Sequence, residues 1–285
     1  MKRILITGAN RYIGTSFEKW MSQYDGYEID TLDMINASWR EYDFSGYDVV
    51  FHVAGIAHSD IGKVDEETKS KYYKINTDLT VEVAKKAKDS RVKQFVFMSS
   101  MIVYGSKNNF ITIDTEPNPD NFYGDSKLKA DKEIHKMQNE SFNVVSIRPP
   151  MIYGKDSKGN YPRLAKLAKI TPVFPDFKNQ RSMLYINNLC EFVRMVIDNN
   201  ETGIFHPQNK EYVNTTDLVC QIAAVSGKKI HTTKLFNVIL KFLIKRVGVC
   251  RKVFGNMVYD KELSKYKDFS YCIADLERSI RLTEE

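Results

Sequence analysis

A doubly wound α/β fold built on a parallel sheet is what this 285-residue sequence predicts. Three observations predict it. The chain opens on a short β-branched run, Arg3-Ile4-Leu5-Ile6-Thr7, that passes at once into a glycine turn and then into a stretch with helical spacing of Phe17, Trp20 and Met21. Further short runs at Tyr47 to Gly55, Gln94 to Met98 and Asn143 to Ile147 are apolar almost throughout, as strands buried on both faces are. Segments with helical patterning separate them, and that alternation implies a parallel sheet of Rossmann type. Residues 1–150 are expected to form this domain, rejoined by about 185–210, and residues 151–184 with 211–285 a smaller mixed α/β substrate-binding domain.

The turn Gly8-Ala9-Asn10-Arg11-Tyr12-Ile13-Gly14 sits between strand and helix, the context in which glycines signify dinucleotide binding. The first glycine permits the tight turn and the last permits close packing of helix on strand. Between them, backbone N–H groups at the helix start can hold a pyrophosphate. Arg11 stands where a third glycine is usual; its bulk restricts backbone approach, while its charge can reach a phosphate, and a solvated loop arginine is an equal alternative. The next strand, Glu28 to Asp33, ends in a carboxylate suited to the adenosine ribose, which favours NAD over NADP. Ser38 to Phe44 is too short for a helix and a strand, so the third unit should be abbreviated, with Asp43 and Phe44 approaching the adenine.

Val53-Ala54-Gly55 closes the following strand and is small enough for a cofactor to lie against it. His52 reads as a core histidine, and His58 as a weak substrate contact. Glu66 to Ser90 is expected to be one long helix with Tyr72, Ile75, Leu79, Val83 and Ala87 on a stripe, where Asn76 would need a buried partner. After the strand at Gln94 come Ser99 and Ser100, and after a polar loop Tyr123-Gly124-Asp125-Ser126-Lys127. A Tyr and a Lys four apart on a helix lie one turn apart on one face, where the cation would favour phenolate. Such a phenol can exchange a proton with a substrate hydroxyl.

Arg148-Pro149-Pro150 marks a boundary, Pro162 suits the first turn of a helix through Lys169, and Asn214 caps a helix from Thr215 to Val225. Leu235 to Val258 is strongly apolar yet carries Lys241, Lys245, Arg246, Arg251 and Lys252. One reading packs it inward or against a second subunit in a homodimer; the other places residues 235–258 at a membrane interface as a basic amphipathic surface.

The remaining totals exclude several classes. Forty-two basic against 36 acidic residues give a net charge of +6 without a concentrated basic arm, which suits an anionic small substrate and not nucleic acid. Cys190, Cys220, Cys250 and Cys272 have neither metal-ligand spacing nor that of a small disulfide framework, so free thiols in the cytoplasm and no metal are expected. No apolar run approaches a membrane span.

Taken in order, these motifs resemble the extended short-chain dehydrogenase/reductase family, in its NAD-dependent epimerase/dehydratase branch acting on nucleotide sugars. The resemblance runs from Lys2 to about Ser226 and rests on Thr7-Gly8-Ala9 to Gly14, Asp33, Val53-Ala54-Gly55, Ser99-Ser100 with Val103-Tyr104-Gly105, Tyr123 with Lys127, Arg148-Pro149 with Tyr153-Gly154, and Arg181 with Tyr185-Ile186. It implies that Ser100 polarises the reacting sugar oxygen, that Tyr123 is the acid/base, and that Lys127 holds the nicotinamide ribose and lowers the Tyr123 pKa. It further implies that Arg181 binds the substrate diphosphate, and it places Met151 and Asn160 beside the sugar. Family 4,6-dehydratases carry an Asp-Glu pair where this chain has Met101 and Ile102, which cannot transfer protons. Family UDP-galactose 4-epimerases have an Asn where Met151 stands.

The resemblance is nearest to UDP-hexose 4-epimerases and to 4-ketoreductases of surface-polysaccharide pathways. The expectation is an NAD-dependent nucleotide-sugar 4-epimerase. The alternatives are an NAD(P)H-dependent 4-ketoreductase of a UDP-4-keto-6-deoxy-N-acetylhexosamine and an inactive nucleotide-sensing protein.

Overall fold

The computed structural model describes residues 1–57 and 65–285. The strands in chain order are β1 (Lys2–Thr7), β2 (Tyr27–Leu32), β3 (Val49–His52), β4 (Gln94–Met98), β5 (Phe110–Ile111) and β6 (Asn143–Ile147). They continue as β7 (Met151–Tyr153), β8 (Val173–Pro175), β9 (Met183–Tyr185), β10 (Gly203–Phe205), β11 (His231–Thr233) and β12 (Val258–Tyr259). The helices are α1 (Tyr12–Met21), α2 (Glu66–Tyr73), α3 (Leu79–Asp89), α4 (Phe122–His135), α5 (Asn160–Ile170) and α6 (Ile186–Asp198). After them come α7 (Thr215–Val225), α8 (Asn237–Arg246), α9 (Gly248–Phe254), α10 (Lys261–Ser264) and α11 (Leu276–Glu284).

The chain divides into two compact units. The first comprises Met1–Ser106, Glu116–Pro149 and Leu189–Pro207, and the second Lys107–Thr115, Pro150–Asn188 and Gln208–Glu285. Unit 1 holds a six-stranded parallel sheet in the order β10-β6-β4-β3-β1-β2, a doubly wound arrangement that reverses direction at β1 and β3. Register is set by matched apolar residues, such as Ile4 opposite both Ile29 and Val49. Between β2 and β3 there is only a 3₁₀ turn, Ala37–Arg40, so the abbreviated third unit contributes no strand.

Both faces of the sheet are covered. Leu5, Val50, Phe95, Phe97 and Val144 pack with Val83, Ala84 and Ala87 of α3 and Ala130 and Ile134 of α4. Burying such side chains contributes roughly 1.5–3 kcal/mol each. Elsewhere in this unit Phe17 of α1 meets Phe51 edge-on, ring centroids 5.0 Å apart, and Phe192 of α6 meets Phe205 at 5.8 Å.

The helix expected across Glu66 to Ser90 is interrupted. A π-helical turn, Lys74–Asp78, separates α2 from α3. The widened turn carries the buried Asn76, which satisfies its amide completely. Its Oδ1 accepts from Ile56 N at 2.9 Å, and its Nδ2 donates to Ile56 O and Ser126 Oγ, each at 3.1 Å. The loop after β3 is thereby tied to α4. His52 is a core histidine as expected, held by Thr7 Oγ1 at 2.7 Å and Thr80 Oγ1 at 3.1 Å. Burial first, and then Lys127, push its pKa down to about 3, so it stays neutral.

Unit 2 is assembled from short pieces. Just past the expected boundary at Arg148, Met151–Tyr153 forms β7, which pairs with β9. Helix α5 starts at Asn160, so Pro162 falls within its first turn. Lys107–Thr115 also belongs to this unit, because β5 pairs with β12. At its centre Asn209 accepts from Tyr185 N and Asn188 Nδ2 at 3.0 Å and donates to Tyr153 Oη at 2.9 Å. All four cysteines are free thiols. Among the described residues no helix is long and apolar enough to cross a membrane, and no cluster of His, Cys, Asp or Glu is arranged to hold a metal.

Candidate active site

In unit 1 the sequence-predicted residues lie at the carboxyl ends of the parallel strands: Gly8 after β1, Asp33 after β2, Val53 to Gly55 after β3 and Ser100 after β4. A ligand in a sheet of this kind lies beyond those ends. Gly8 has φ +114°, and a Cβ there would sit 2.7 Å from the Ala54 backbone nitrogen. At Gly14 a Cβ would press on Ile6 and Val53 methyls at 3.1 Å, so the glycine lets α1 lie close on the sheet. Asn10 takes a left-handed conformation, φ 61°.

Arg11 is the exposed N-cap of α1; its side chain makes no capping bond, and the first turn carries no acid. The first turn of a helix offers backbone N–H groups and the positive end of the helix dipole to an anion, and Ile13 lies in that turn. Asp33 is exposed, its Oδ1 accepting from Ile35 N at 2.9 Å. A Cβ at Gly55 would approach Asn76 Oδ1 and Lys127 Nζ to 3.1 Å, so only glycine leaves that floor clear. A tight glycine turn, a helix start, a terminal carboxylate and a side-chain-free floor together fit a dinucleotide.

Two residues expected near the adenine have local partners in the structure. The Phe44 side chain is fully buried in the core with Trp39 and Tyr47. Asp43, which is exposed, accepts from Ser45 N and Oγ, each at 2.8 Å, and those bonds hold its pKa below the usual range. His58 lies outside the described residues.

The Ser, Tyr and Lys come together for local reasons. Ser100 starts a 3₁₀ turn, Met101–Tyr104, its Oγ accepting from Ile102 N at 3.3 Å. Helix α4 is capped by Asn121, whose Oδ1 accepts from Gly124 N at 2.9 Å. Gly124 lets that helix abut the turn, since a Cβ there would lie 2.8 Å from Ile102 O. The contact brings the Tyr123 phenol near Ser100, which acts to lower its pKa, while the Tyr72 ring stands edge-on to it at 6.1 Å. Ser100 therefore both caps its turn and faces the phenol. One helical turn on, Lys127 Nζ donates to Met98 O at 2.9 Å and lies 4.6 Å from the centre of the Phe97 ring.

The electrostatics differ from the expected lowering of Tyr123. Burial pushes the phenol up to about 12, the Ser100 hydrogen bond opposing it and Tyr72 adding to it. Lys127 is itself brought down to about 8 by burial, with Asp131 opposing. The ammonium is engaged by a carbonyl and an aromatic face, and Ser100 is the group that acts to lower the phenol's pKa.

Sequence reasoning missed the group behind this pair. Asp131, four residues after Lys127 on α4, accepts at Oδ2 from Ser99 Oγ at 3.0 Å and from Arg148 Nε at 2.9 Å. Arg148 Nη1 donates to Tyr104 Oη at 2.8 Å, and Tyr104 Oη bonds His206 Nε2 at 2.7 Å. Both charges are removed from water, at 5% and 2% side-chain exposure. The available signal was a carboxylate in the i, i+4, i+8 series Tyr123, Lys127, Asp131, beside the buried Ala130 and Ile134.

Unit 2 carries the other candidates. Arg181 is half-buried, bridged through its backbone to Val213 and Met257. Its Nη1 donates to Gly255 O at 3.1 Å, its Nε has no partner, and among the described residues no carboxylate pairs with it. Burial alone lowers its pKa to about 10. A desolvated guanidinium without a counter-ion is the electrostatic complement of an anion. Met151 opens β7 half-buried, and Asn160 is the half-buried first residue of α5.

Fold and site together define an enzyme of the dinucleotide-dependent oxidoreductase class. The chain belongs to the NAD dependent epimerase/dehydratase family, whose model matches residues 4–209. It is similar to a UDP-glucose 4-epimerase of Vibrio cholerae, 31% identical over 252 residues that cover 80% of this chain and 76% of that one. An N-acetyl-α-D-glucosaminyl-diphospho-ditrans,octacis-undecaprenol 4-epimerase of Escherichia coli O157:H7 is 25% identical over 253 residues, 81% of this chain and 75% of that one. Among solved structures, a UDP-glucuronic acid 4-epimerase of Bacillus cereus in complex with NAD shares the fold with a TM-score of 0.71 at 16% identity, covering 99% of this chain and 95% of that one.

Proposed function

We propose that the protein is an NAD-dependent nucleotide-sugar 4-epimerase that oxidises and re-reduces C4 of a UDP-sugar in surface-polysaccharide precursor synthesis. The observation that supports this reading is the placing of the Tyr123 phenol close enough to Ser100, at the carboxyl end of β4, for Ser100 to lower its pKa, beside a turn whose next two residues, Met101 and Ile102, hold no acid. Two carboxylates would be needed to expel water from a sugar; a hydroxyl and a phenol suffice for proton exchange at one oxygen. The names of the Vibrio cholerae and Escherichia coli relatives, both 4-epimerases, support the reading.

In this mechanism Gly8, the α1 N-terminus, Asp33 and Gly55 hold the dinucleotide. NAD held there would supply a hydride acceptor and donor for C4 of the sugar. Tyr123 Oη takes the proton from the 4-hydroxyl and gives it back, and Ser100 Oγ orients the same oxygen. Lys127, fixed by Met98 O, lies against the Gly55 floor, where its charge favours the phenolate once the site is closed to water. Arg181 holds the substrate diphosphate. Met151 offers the sugar an apolar contact and Asn160 a polar one.

Purified protein offered UDP-hexoses, with no cofactor added, should interconvert the C4 epimers using the NAD that copurifies. Turnover only of a 4-keto UDP-sugar, and only with NADH or NADPH, would replace the epimerase by a 4-ketoreductase. Nucleotide binding without either activity would leave a sensor. Arg181→Met should separate binding from stability. Losing charge-assisted hydrogen bonds to a diphosphate should raise KM for the UDP-sugar by about ten- to a hundredfold. Removing an uncompensated, half-buried cation should leave Tm unchanged or higher, measured on the same preparation.

A further inference from the structure

The helical hairpin α8–α9 presents an apolar outer face that nothing in unit 2 covers. Within α8 only Leu240 is buried, and α9 buries no residue. The inner side is nevertheless fastened. Asn237 Nδ2 donates to Asp176 O at 2.9 Å, and Phe254 packs on Phe174 and Phe177 at 5.7 and 5.8 Å. Outward, Val238, Ile239 and Phe242 of α8 lie on one helical face, exposed at 80%, 60% and 53%, and Leu235 in the turn before it is 84% exposed. Val249 of α9, 71% exposed, extends the apolar outer surface of the hairpin.

Charge decides what this stripe fits. From Leu218 to Tyr259 the sequence has no Asp or Glu, while Lys228, Lys229 and Lys234 precede the hairpin and five more cations lie in it. These eight charges exceed the net +6 of the whole chain, so the remainder is slightly acidic. On α8, Lys241 and Lys245 flank the stripe on one side, and Arg246 lies over the Phe242 ring at 4.0 Å. Lys241, Lys245, Arg246 and Lys252 make no salt bridge among the described residues. Arg251 alone is used internally, donating to Ile244 O at 3.3 Å and Lys245 O at 3.2 Å. A two-fold dimer through this face would set the same cations against each other in a low-dielectric contact, which disfavours a second copy.

We propose that α8–α9 is a peripheral membrane-docking element that inserts Leu235, Val238, Ile239 and Phe242 among the acyl chains of an anionic bilayer while its basic rim meets lipid headgroups. Apolar insertion and headgroup attraction act together in such elements, each near-surface cation contributing about 1 kcal/mol, or roughly fivefold in affinity. The element lies outside the residues proposed for catalysis, so docking is independent of which sugar the enzyme takes.

The full-length protein should cosediment with phosphatidylglycerol/phosphatidylcholine vesicles at low salt, bind pure phosphatidylcholine vesicles weakly, and release as salt rises. A Lys241→Glu/Lys245→Glu/Arg246→Glu protein should bind the anionic vesicles at least a hundredfold less tightly, with an unchanged Tm showing that it remains folded. Ile239→Ser/Phe242→Ser should also detach. A Phe242→Trp protein should add a blue-shifted emission component over the parent's when anionic vesicles are present. No binding at low salt, equal binding by the charge-reversed protein, or no spectral shift overturns the proposal. So does a doubled mass in light scattering that Ile239→Asp abolishes, because the stripe would then be a dimer contact.

Discussion

Replacing Tyr123 by Phe should lower kcat by about a hundred- to ten-thousandfold, the range that a positioned acid/base contributes. Its effect should fall on turnover alone. The ring fills the same space against Tyr72, and the group that acts to lower the hydroxyl's pKa is Ser100. Tm and bound NAD should therefore stay near the parent's, and copurified nucleotide released by heat measures the second directly. The pH profile is the sharper readout. Because burial holds the phenol at about 12, it is protonated at neutral pH, and the phenolate fraction grows with alkalinity. The parent's kcat should climb by up to about tenfold per pH unit until the phenol's pKa in the working complex is passed, while the residual activity of Tyr123→Phe should lack that limb. Ser100→Ala removes the one interaction that lowers the phenol's pKa and should move the limb to higher pH. Full activity in Tyr123→Phe would end the proposed mechanism.

What could be read from the sequence was what local chemistry dictates. The glycine turn, the apolar strands and the Tyr–Lys spacing depend on neighbours along the chain, and Gly8, Asp33, Gly55 and Ser100 all lie at the strand ends where such reading puts them. At Phe44 a motif position says where the backbone passes and nothing of which way a ring turns; the ring joins Trp39 and Tyr47 in the core. Lys127 was expected to act on the phenol one helical turn away, but the carbonyl of Met98 and the Phe97 face compete for its ammonium. The π turn at Lys74–Asp78 leaves the 3.6-residue pattern nearly intact, and its reason is tertiary: the Asn76 amide meeting Ile56 and Ser126. Strands of two or three residues such as β5 and β12 exist through pairing across more than a hundred residues, which no local pattern encodes.

Asp131→Ala should be the most destabilising of the substitutions considered, by about 3–5 kcal/mol, because it strands the Arg148 guanidinium in the interior. Arg148 would keep Tyr104 Oη but lose its counter-ion, and Ser99 Oγ would lose its acceptor. At about 2–4 °C per kcal/mol for a chain of this order, Tm should fall by roughly 6–20 °C. A pair replacement distinguishes a stranded charge from lost packing. Asp131→Leu with Arg148→Met removes both ions and should recover most of the lost stability, since a buried ion pair is often no more stabilising than apolar side chains of similar volume. Catalysis should not recover with it. Asp131 holds Ser99, which adjoins Ser100, and it is the charge that opposes the burial-lowered pKa of Lys127. Without it the Lys127 pKa should drop below about 8, and the ammonium should be lost progressively as pH rises through that lower value. The stable double variant should therefore show a reduced kcat that worsens toward alkaline pH, with KM little changed. A double variant with the parent's pH profile would confine Asp131 to a structural role.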